Sequence, residues 1–292
     1  MEKLSKNSDI LNGYIMSKDE KVVTIENGKI TKINQKLAPL HFQKGKGIEE
    51  WLKSRAIDSH RTNSRLLKKA LRLENKDDLN TVLAVNAVTI TDNYWYKGKD
   101  ENLTWEEVKF KENIFDNLAL KGDPDAFSNN PSRTPELTNI GSFEKCWKLE
   151  NNEWWLYKYG NQNQIFSELF IYNIGKKLGF NMAKYELCNG YIKSLDFTNN
   201  RQYNYEPISA VLNDNEDYNT NFEYFYSLSE EIAKDYLKMI YLDSVCYNMD
   251  RHTNNYGLLR NAKNGEILSL APNFDNNIAL ISNGYPSDVT RK

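Results

Sequence analysis

Three side chains in the last fifth of the chain have the types and order that phosphoryl transfer requires. Asp250 and Asn255 stand in the run Asn248-Met249-Asp250-Arg251-His252-Thr253-Asn254-Asn255, and Asp275 follows in Asn273-Phe274-Asp275-Asn276-Asn277. One carboxylate can accept the proton of an attacking hydroxyl. An amide oxygen and a second carboxylate supply the hard oxygen donors that Mg2+ takes when it bridges nucleotide phosphates. The same chemistry asks for a lysine on a strand to bind phosphate and a glutamate on the next helix to orient it. Lys158 ends the strand-like run Trp154-Trp155-Leu156-Tyr157-Lys158, and Glu168 lies near the start of the following helical segment, where its carboxylate can face back toward Lys158. Taken singly, each has a plainer reading: Lys158 as a surface charge, Glu168 as a solvated helix residue, Asp275 as part of a turn, His252 as a residue that orients its loop. Their joint order favours a phosphotransferase site.

The elements around these residues explain how they could meet. A helix opening at Ser229, with Glu230 and Glu231 in its first turn and Ile232, Tyr236, Met239, Ile240 and Val245 on an apolar face, runs directly into the Asp250 loop. A hairpin through Leu258-Leu259 and Ile267 to Leu270 separates that loop from Asp275, so two carboxylates and an amide converge at one sheet edge. Upstream, residues 137–149 and 153–159 read as two strands around Glu150-Asn151-Asn152, and residues 164–178 as a helix stopped by Gly179. Residues 183–187 and 191–195 extend the same sheet through an Asn189-Gly190 turn. The N-terminal third opens with a hairpin around Asn27-Gly28, followed by helical patterns over 47–56 and 64–73 and a third capped by Asp77 and ending near Ala87. A β-like run over 88–91 leads to Tyr94, Trp95 and Tyr96, an aromatic cluster read as core. Residues 122–135, with three prolines, read as a linker, and the Asn-rich stretch 196–228 as loops. The acidic run within that stretch reads as a solvated loop and not a metal site.

Composition bounds these readings. With 292 residues, 40% hydrophobic, 27% charged and 12% aromatic, the chain has the makings of a packed core, which excludes a disordered or disulfide-stapled class. A net charge of −2 gives no global field for nucleic acid or an anionic membrane, so any phosphate must be bound locally. No apolar run approaches the roughly 20 residues that span a bilayer, and the first residues lack an apolar leader, so a cytoplasmic site of action is expected. Cys146, Cys188 and Cys246 are widely spaced and are read as reduced packing residues.

The segment Leu137-Thr138-Asn139-Ile140-Gly141-Ser142-Phe143-Glu144-Lys145, together with Lys158, the loop Asn248-x-Asp250-Arg251-His252-x-x-Asn255 and Phe274-Asp275, resembles the HipA-like serine/threonine kinases over about residues 135 to 285. The resemblance implies an α+β, two-lobed protein-kinase-like fold with an N-terminal β/α extension: residues 1–121 as the extension, 122–135 as linker, 136–195 as the N-lobe-like part and 196–292 as a short C-lobe-like part. It also implies ATP and Mg2+ as cofactors, with Asp250 as catalytic base, Asn255 and Asp275 as Mg2+ ligands, and Lys158 as the phosphate lysine. Gly141, Ser142, Phe143 and Lys145 would line a phosphate loop holding a single glycine, Glu168 would orient Lys158, and a hinge would lie near Lys193 to Asp196, with Leu195 among the nucleotide-binding residues. The acceptor would be a Ser or Thr of a protein, with self-phosphorylation near Thr138 or Ser142, and an antitoxin-like partner. No direct nucleic-acid or membrane partner is expected. Two other classes fit the same residues: a small-molecule or lipid phosphotransferase, since Asp-Arg-His-x-x-Asn also resembles phosphoinositide-kinase loops, and a pseudokinase or partner-binding module.

Overall fold

Left-handed backbone at asparagine and glycine sets the turns from which the sheets grow. Asn27 and Gly28 (φ +51° and +73°), Asn151 and Asn152 (+52° and +65°), and Asn189 and Gly190 (+49° and +80°) each close a tight hairpin, the geometry that matches the right-handed twist of the flanking strands. The computed structural model describes residues 11–283 except 62, 74–75 and 129–132. Among them are eleven strands and ten α-helices. The strands are β1 (Gly13–Ser17), β2 (Glu20–Glu26), β3 (Lys29–Ile33), β4 (Tyr94–Gly98), β5 (Lys145–Glu150), β6 (Glu153–Lys158), β7 (Tyr185–Cys188), β8 (Tyr191–Leu195), β9 (Tyr203–Pro207), β10 (Gly257–Asn261) and β11 (Ile267–Leu270). The helices are α1 (Leu40–Gln43), α2 (Ile48–Lys53), α3 (Ser64–Ala70), α4 (Asp78–Leu83), α5 (Trp105–Val108), α6 (Asp116–Lys121), α7 (Gln162–Lys177), α8 (Ser209–Leu212), α9 (Tyr218–Leu228) and α10 (Glu230–Val245).

The strands form three antiparallel sheets, ordered β3-β2-β1-β4, β5-β6-β8-β7 and β11-β10-β9, so the chain is a mixed α+β fold. The expected hairpins around residues 27–28, 151–152 and 189–190 are all present, and Tyr94 and Trp95 are core, at 2% and 0% exposure. One hydrophobic core joins Met16, Trp95 and Phe115 to Cys146, Trp147 and Trp155, so the N-terminal third and the β5-β6 sheet share an interior. A second packs β1 and β2 against α2 and α4, and a third lies beneath α9, α10 and β10. No helix among the described residues is long and apolar enough to cross a membrane.

Several elements depart from expectation, each for a local reason. Residues 88–91 are irregular and bent rather than a strand; β4 instead begins at Tyr94 and pairs with β1. Residues 137–144 are not strand: Pro135–Thr138 is a 3-10 turn in which the Thr134 side chain accepts from the Glu136 amide, and β5 starts at Lys145. The stretch 196–228 holds β9, α8 and α9. In β9 the buried alternate positions are Asn204 and Glu206, the reverse of an apolar alternation. Both are satisfied: Asn204 Oδ1 accepts from the Asn93 backbone N–H (2.9 Å) and side-chain amide (2.8 Å), and Glu206 pairs with Arg260 (2.5 Å) and accepts from the Leu40 amide (2.5 Å). Asp217, from the acidic run, caps α9 by accepting from the Thr220 amide at 2.7 Å. Val245 closes α10 but is 60% exposed, not buried. Of residues 122–135, 129–132 lie outside the described residues, while Arg133 is anchored by bonds to Asn86 Oδ1 and to the carbonyls of Val85 and Val108.

Candidate active site

Lys158 closes β6, the strand that lies between β5 and β8, and its register partner on β5 is Lys145. The apolar run before it makes β6 an interior strand, which buries the lysine stem and leaves the ammonium needing counterions. Its Nζ lies 2.6 Å from Asp275 Oδ1 and 3.3 Å from Glu168 Oε1. Burial works to discharge this ammonium, but the two carboxylates outweigh it and hold Lys158 well above the usual lysine range. Glu168 is fully buried on α7, whose start is fixed by a reciprocal cap: Asn161 Oδ1 accepts from the Gln164 amide and Gln164 Oε1 from the Asn161 amide. Burial raises the Glu168 carboxyl even against the Lys158 charge, and its second oxygen accepts from the Asn276 amide at 3.1 Å. One glutamate thus touches both the strand lysine and the neighbour of Asp275. Ser167 Oγ donates to the Ala279 carbonyl at 2.7 Å, which ties α7 to the segment following Asp275.

Asp275 sits in left-handed backbone at φ +62°, and its N–H donates to the Tyr185 hydroxyl at 3.0 Å. Burial would raise its carboxyl, yet the ammonium groups of Lys158 and Lys145 bring it down to about 2, so it stands ionised. Around it, Phe274 packs against Phe197 and Tyr205, an aromatic floor with ring centroids 5.5 and 5.7 Å from Phe274.

The second half of the site is the loop after α10. Asn248 Oδ1 accepts from the Asp250 amide at 3.1 Å, and Asn255 Nδ2 donates to the Asp250 carbonyl at 3.0 Å. Asn255 Oδ1 and the Asp250 carboxylate therefore accept nothing from the protein among the described residues. Asp250 is half-buried; burial raises its carboxyl, with His252 opposing and Asp275 adding to the rise. His252 orients the loop, its backbone N–H donating to the Asp250 carbonyl and its Nδ1 accepting from the Asn254 amide. The guanidinium of Arg251 joins the two halves: it takes Asp243 of α10 bidentately and also reaches the carbonyls of Asn255 and Phe274.

The loop preceding β5 approaches the same place. Gly141 (φ +107°) is packed so closely that a Cβ there would lie 2.2 Å from Lys145 Nζ, so no larger residue fits without moving the lysine. Lys145 is buried with no acid in ion-pair range among the described residues, and burial pushes its ammonium down to about 8. Ser142 is exposed and donates to Asp58 Oδ2 at 3.0 Å; Phe143 is half-buried. Thr138 is buried, its hydroxyl donating to the Val88 carbonyl at 2.6 Å, which turns it away from solvent. Leu195 pairs with Trp155, toward the opposite end of the β6-β8 ladder from Lys158, which pairs with Ile192. Lys158, Glu168, Asp275 and Lys145 are thus brought together with the Asp250–Asn255 loop beside them, whereas Leu195 is not beside the lysine.

Two arginines were not singled out by sequence. Arg61 is fully buried, donating to the Lys145 and Asn139 carbonyls and pairing with Glu136 at 3.3 Å, so the N-terminal third grips the root of β5. Arg251 stood named inside the motif, with no role assigned to it. Arg61 binds mainly backbone carbonyls, and Arg251 binds two carbonyls and four side-chain oxygens spread over α10, its own loop and the Asp275 segment, so neither leaves a spacing pattern in the residue types.

The donor set suits Mg2+ and phosphate. Asn255 and Asp275 offer hard oxygens and Lys145 and Lys158 offer cations, while among the described residues no three His, Cys, Asp or Glu side chains form a ready metal cage. A cation here would share its coordination with ligand oxygens. No family model and no curated protein sequence matches the chain. Among solved structures, HipA from the Shewanella oneidensis MR-1 toxin-antitoxin complex with HipB and operator DNA aligns at TM-score 0.63 and 12% identity, over 92% of this chain and 76% of that one. The Helicobacter pylori proinflammatory kinase CtkA aligns at TM-score 0.44 and 23% identity, over 48% of this chain and 57% of CtkA, little more than half its length. With the alignment to HipA running over nearly its whole length, the chain has a HipA-like fold.

Proposed function

We propose that the chain is an ATP- and Mg2+-dependent kinase that transfers the γ-phosphoryl group to a Ser or Thr hydroxyl of a protein. The observation that carries this reading is the meeting of Lys158, Glu168 and Asp275 within 3.3 Å, with the Asp250–Asn255 loop clamped beside them. In this reading residues 136–195 and 196–292 act as the two lobes around the nucleotide. Residues 1–121 are the extension, whose described part packs against the first lobe, and 122–135 are the linker. An antitoxin-like partner is proposed by analogy with HipA, which was solved with HipB.

Lys158 and Lys145 bind the phosphates, with the backbone N–H groups after Gly141 completing the cradle. Glu168 keeps Lys158 aimed. Asn255 Oδ1 and the Asp275 carboxylate hold the cation, which when bound neutralises the charge that develops on the transferring group. Asp250, raised by burial and free of protein donors, accepts the proton of the incoming hydroxyl.

Intact-mass measurement after incubation with Mg-ATP and candidate protein acceptors tests this. Mass gain in 80-Da steps is expected for the wild type, with peptide mapping to locate the site; Ser142 is the exposed hydroxyl of the phosphate loop and Thr138 is not a candidate acceptor in this conformation. Asp250→Asn should lower transfer by at least about 10²-fold, at the low end of what a general base supplies, while nucleotide affinity changes little. Undiminished transfer by that variant overturns the assignment.

A further inference from the structure

Among the described residues the catalytic loop and the Asp275 segment share no backbone ladder where their functional side chains meet; the planar guanidinium of Arg251 spans the gap, helped by one longer bond from Asn248 Nδ2 to Asn276 Oδ1 at 3.4 Å. Arg251 is 3% exposed at its side chain. Its Nε and Nη2 take the two Asp243 oxygens at 2.9 and 3.0 Å. Nη1 donates to the Asn255 carbonyl at 2.9 Å and the Phe274 carbonyl at 2.7 Å, and Nη2 also reaches Asn273 Oδ1 at 3.0 Å and Asn276 Oδ1 at 2.7 Å. Its five N–H donors therefore serve six acceptors, on α10, on the residue that carries the amide, on both neighbours of Asp275 and on Asn273. Asp243 also accepts from Asn248 Nδ2 at 2.9 Å, and Asn248 in turn holds the Asp250 amide. All of these bonds lie one step behind the groups assigned to metal and proton.

We infer that Arg251 is a positioning residue that sets the separation between the Asp250–Asn255 loop and Asp275. Its geometry stands by itself; its functional consequence rests on the kinase reading above. Lysine cannot replace it, because a point cation has three donors and no fork to hold Asp243 while spanning two carbonyls. Loss of the fork would let Asn255 and Asp275 move independently, which a cation ligated by both would feel.

Hydrogen exchange on full-length Arg251→Lys, read against the wild type, tests the geometry without requiring activity. Protection at residues 248–256 and 274–277 is expected to fall together by about tenfold or more, with β1 to β4 unchanged, as for a local opening. In parallel, the Mg2+ concentration for half-maximal nucleotide binding should rise about 10- to 100-fold, while binding without the cation shifts far less. A merely structural role would lower stability without moving this Mg2+ dependence. Should Arg251→Lys fail to fold, Asn276→Ala, which spares the buried Asp243 pair, should loosen 274–277. Unchanged protection in the folded variant, or a fall in one segment alone for Arg251→Lys, overturns the inference. A wild type that binds no Mg-nucleotide would instead sink the kinase reading, and the exchange data would still decide the clamp.

Discussion

Two lysines face each other across β5 and β6, and burial treats them differently. Lys158 has two carboxylates and keeps its proton; Lys145 has none in contact among the described residues and is pushed down to about 8. Bound phosphate would raise Lys145, so nucleotide binding takes up a proton above pH 8. Affinity measured by titration calorimetry should then fall as pH rises from 7 to 9, by up to about tenfold per unit above 8. Lys145→Arg, which keeps its charge throughout that range, should flatten the profile. Lys158, Glu168 and Asp275 were legible in sequence because the chemistry dictates residue types in a fixed order along the chain. The roles of Arg61 and Arg251 were not, since their partners, carbonyls and side-chain oxygens on other elements, leave no spacing pattern around the arginine. Thr138 was a plausible acceptor by position alone; only its bond to the Val88 carbonyl shows which way the hydroxyl points.

At the level of elements, capping and turn chemistry translated well. Ser229 caps α10, Asp77 caps α4, and the Asn-Gly pairs close hairpins as read. Failures fell where tertiary pairing overrode local pattern. The polar inward face of β9 looks like loop until Arg260 and Asn93 are placed against it, and residues 137–144 looked extended until Glu136 was buried under Arg61. The reciprocal cap of α7 matters because that helix carries Glu168. Asn161→Ala should lower stability by about 1 kcal/mol in urea denaturation.

On the scale of the whole molecule, buried polar rivets join the N-terminal third to the rest. Arg260 donates to Glu206, to the Tyr94 hydroxyl and to the carbonyls of Lys36 and Ala38, bridging the β9-β10 sheet and the start of the chain. Asn93 donates to Asn204 Oδ1, and Arg61 holds the Lys145 carbonyl. Arg260→Ala would strand Glu206 as an unpaired buried charge, a loss of about 3 to 5 kcal/mol, readable as a large drop in Tm. The composition announced a packed core; it gave no hint that residues between Met16 and Leu120 share it with the β5-β6 sheet, because the joining contacts run between residues far apart in sequence.

The left-handed backbone at Asp275 has a consequence for how this architecture can change over time. Asparagine is among the few residues that adopt φ near +62° easily, and its amide has nearly the shape of the carboxylate it would replace. The codons of the two differ by one base. A silent twin with the same contours and no charge at that position is therefore one point mutation away, and outward form and chemical competence can part company in a single generation.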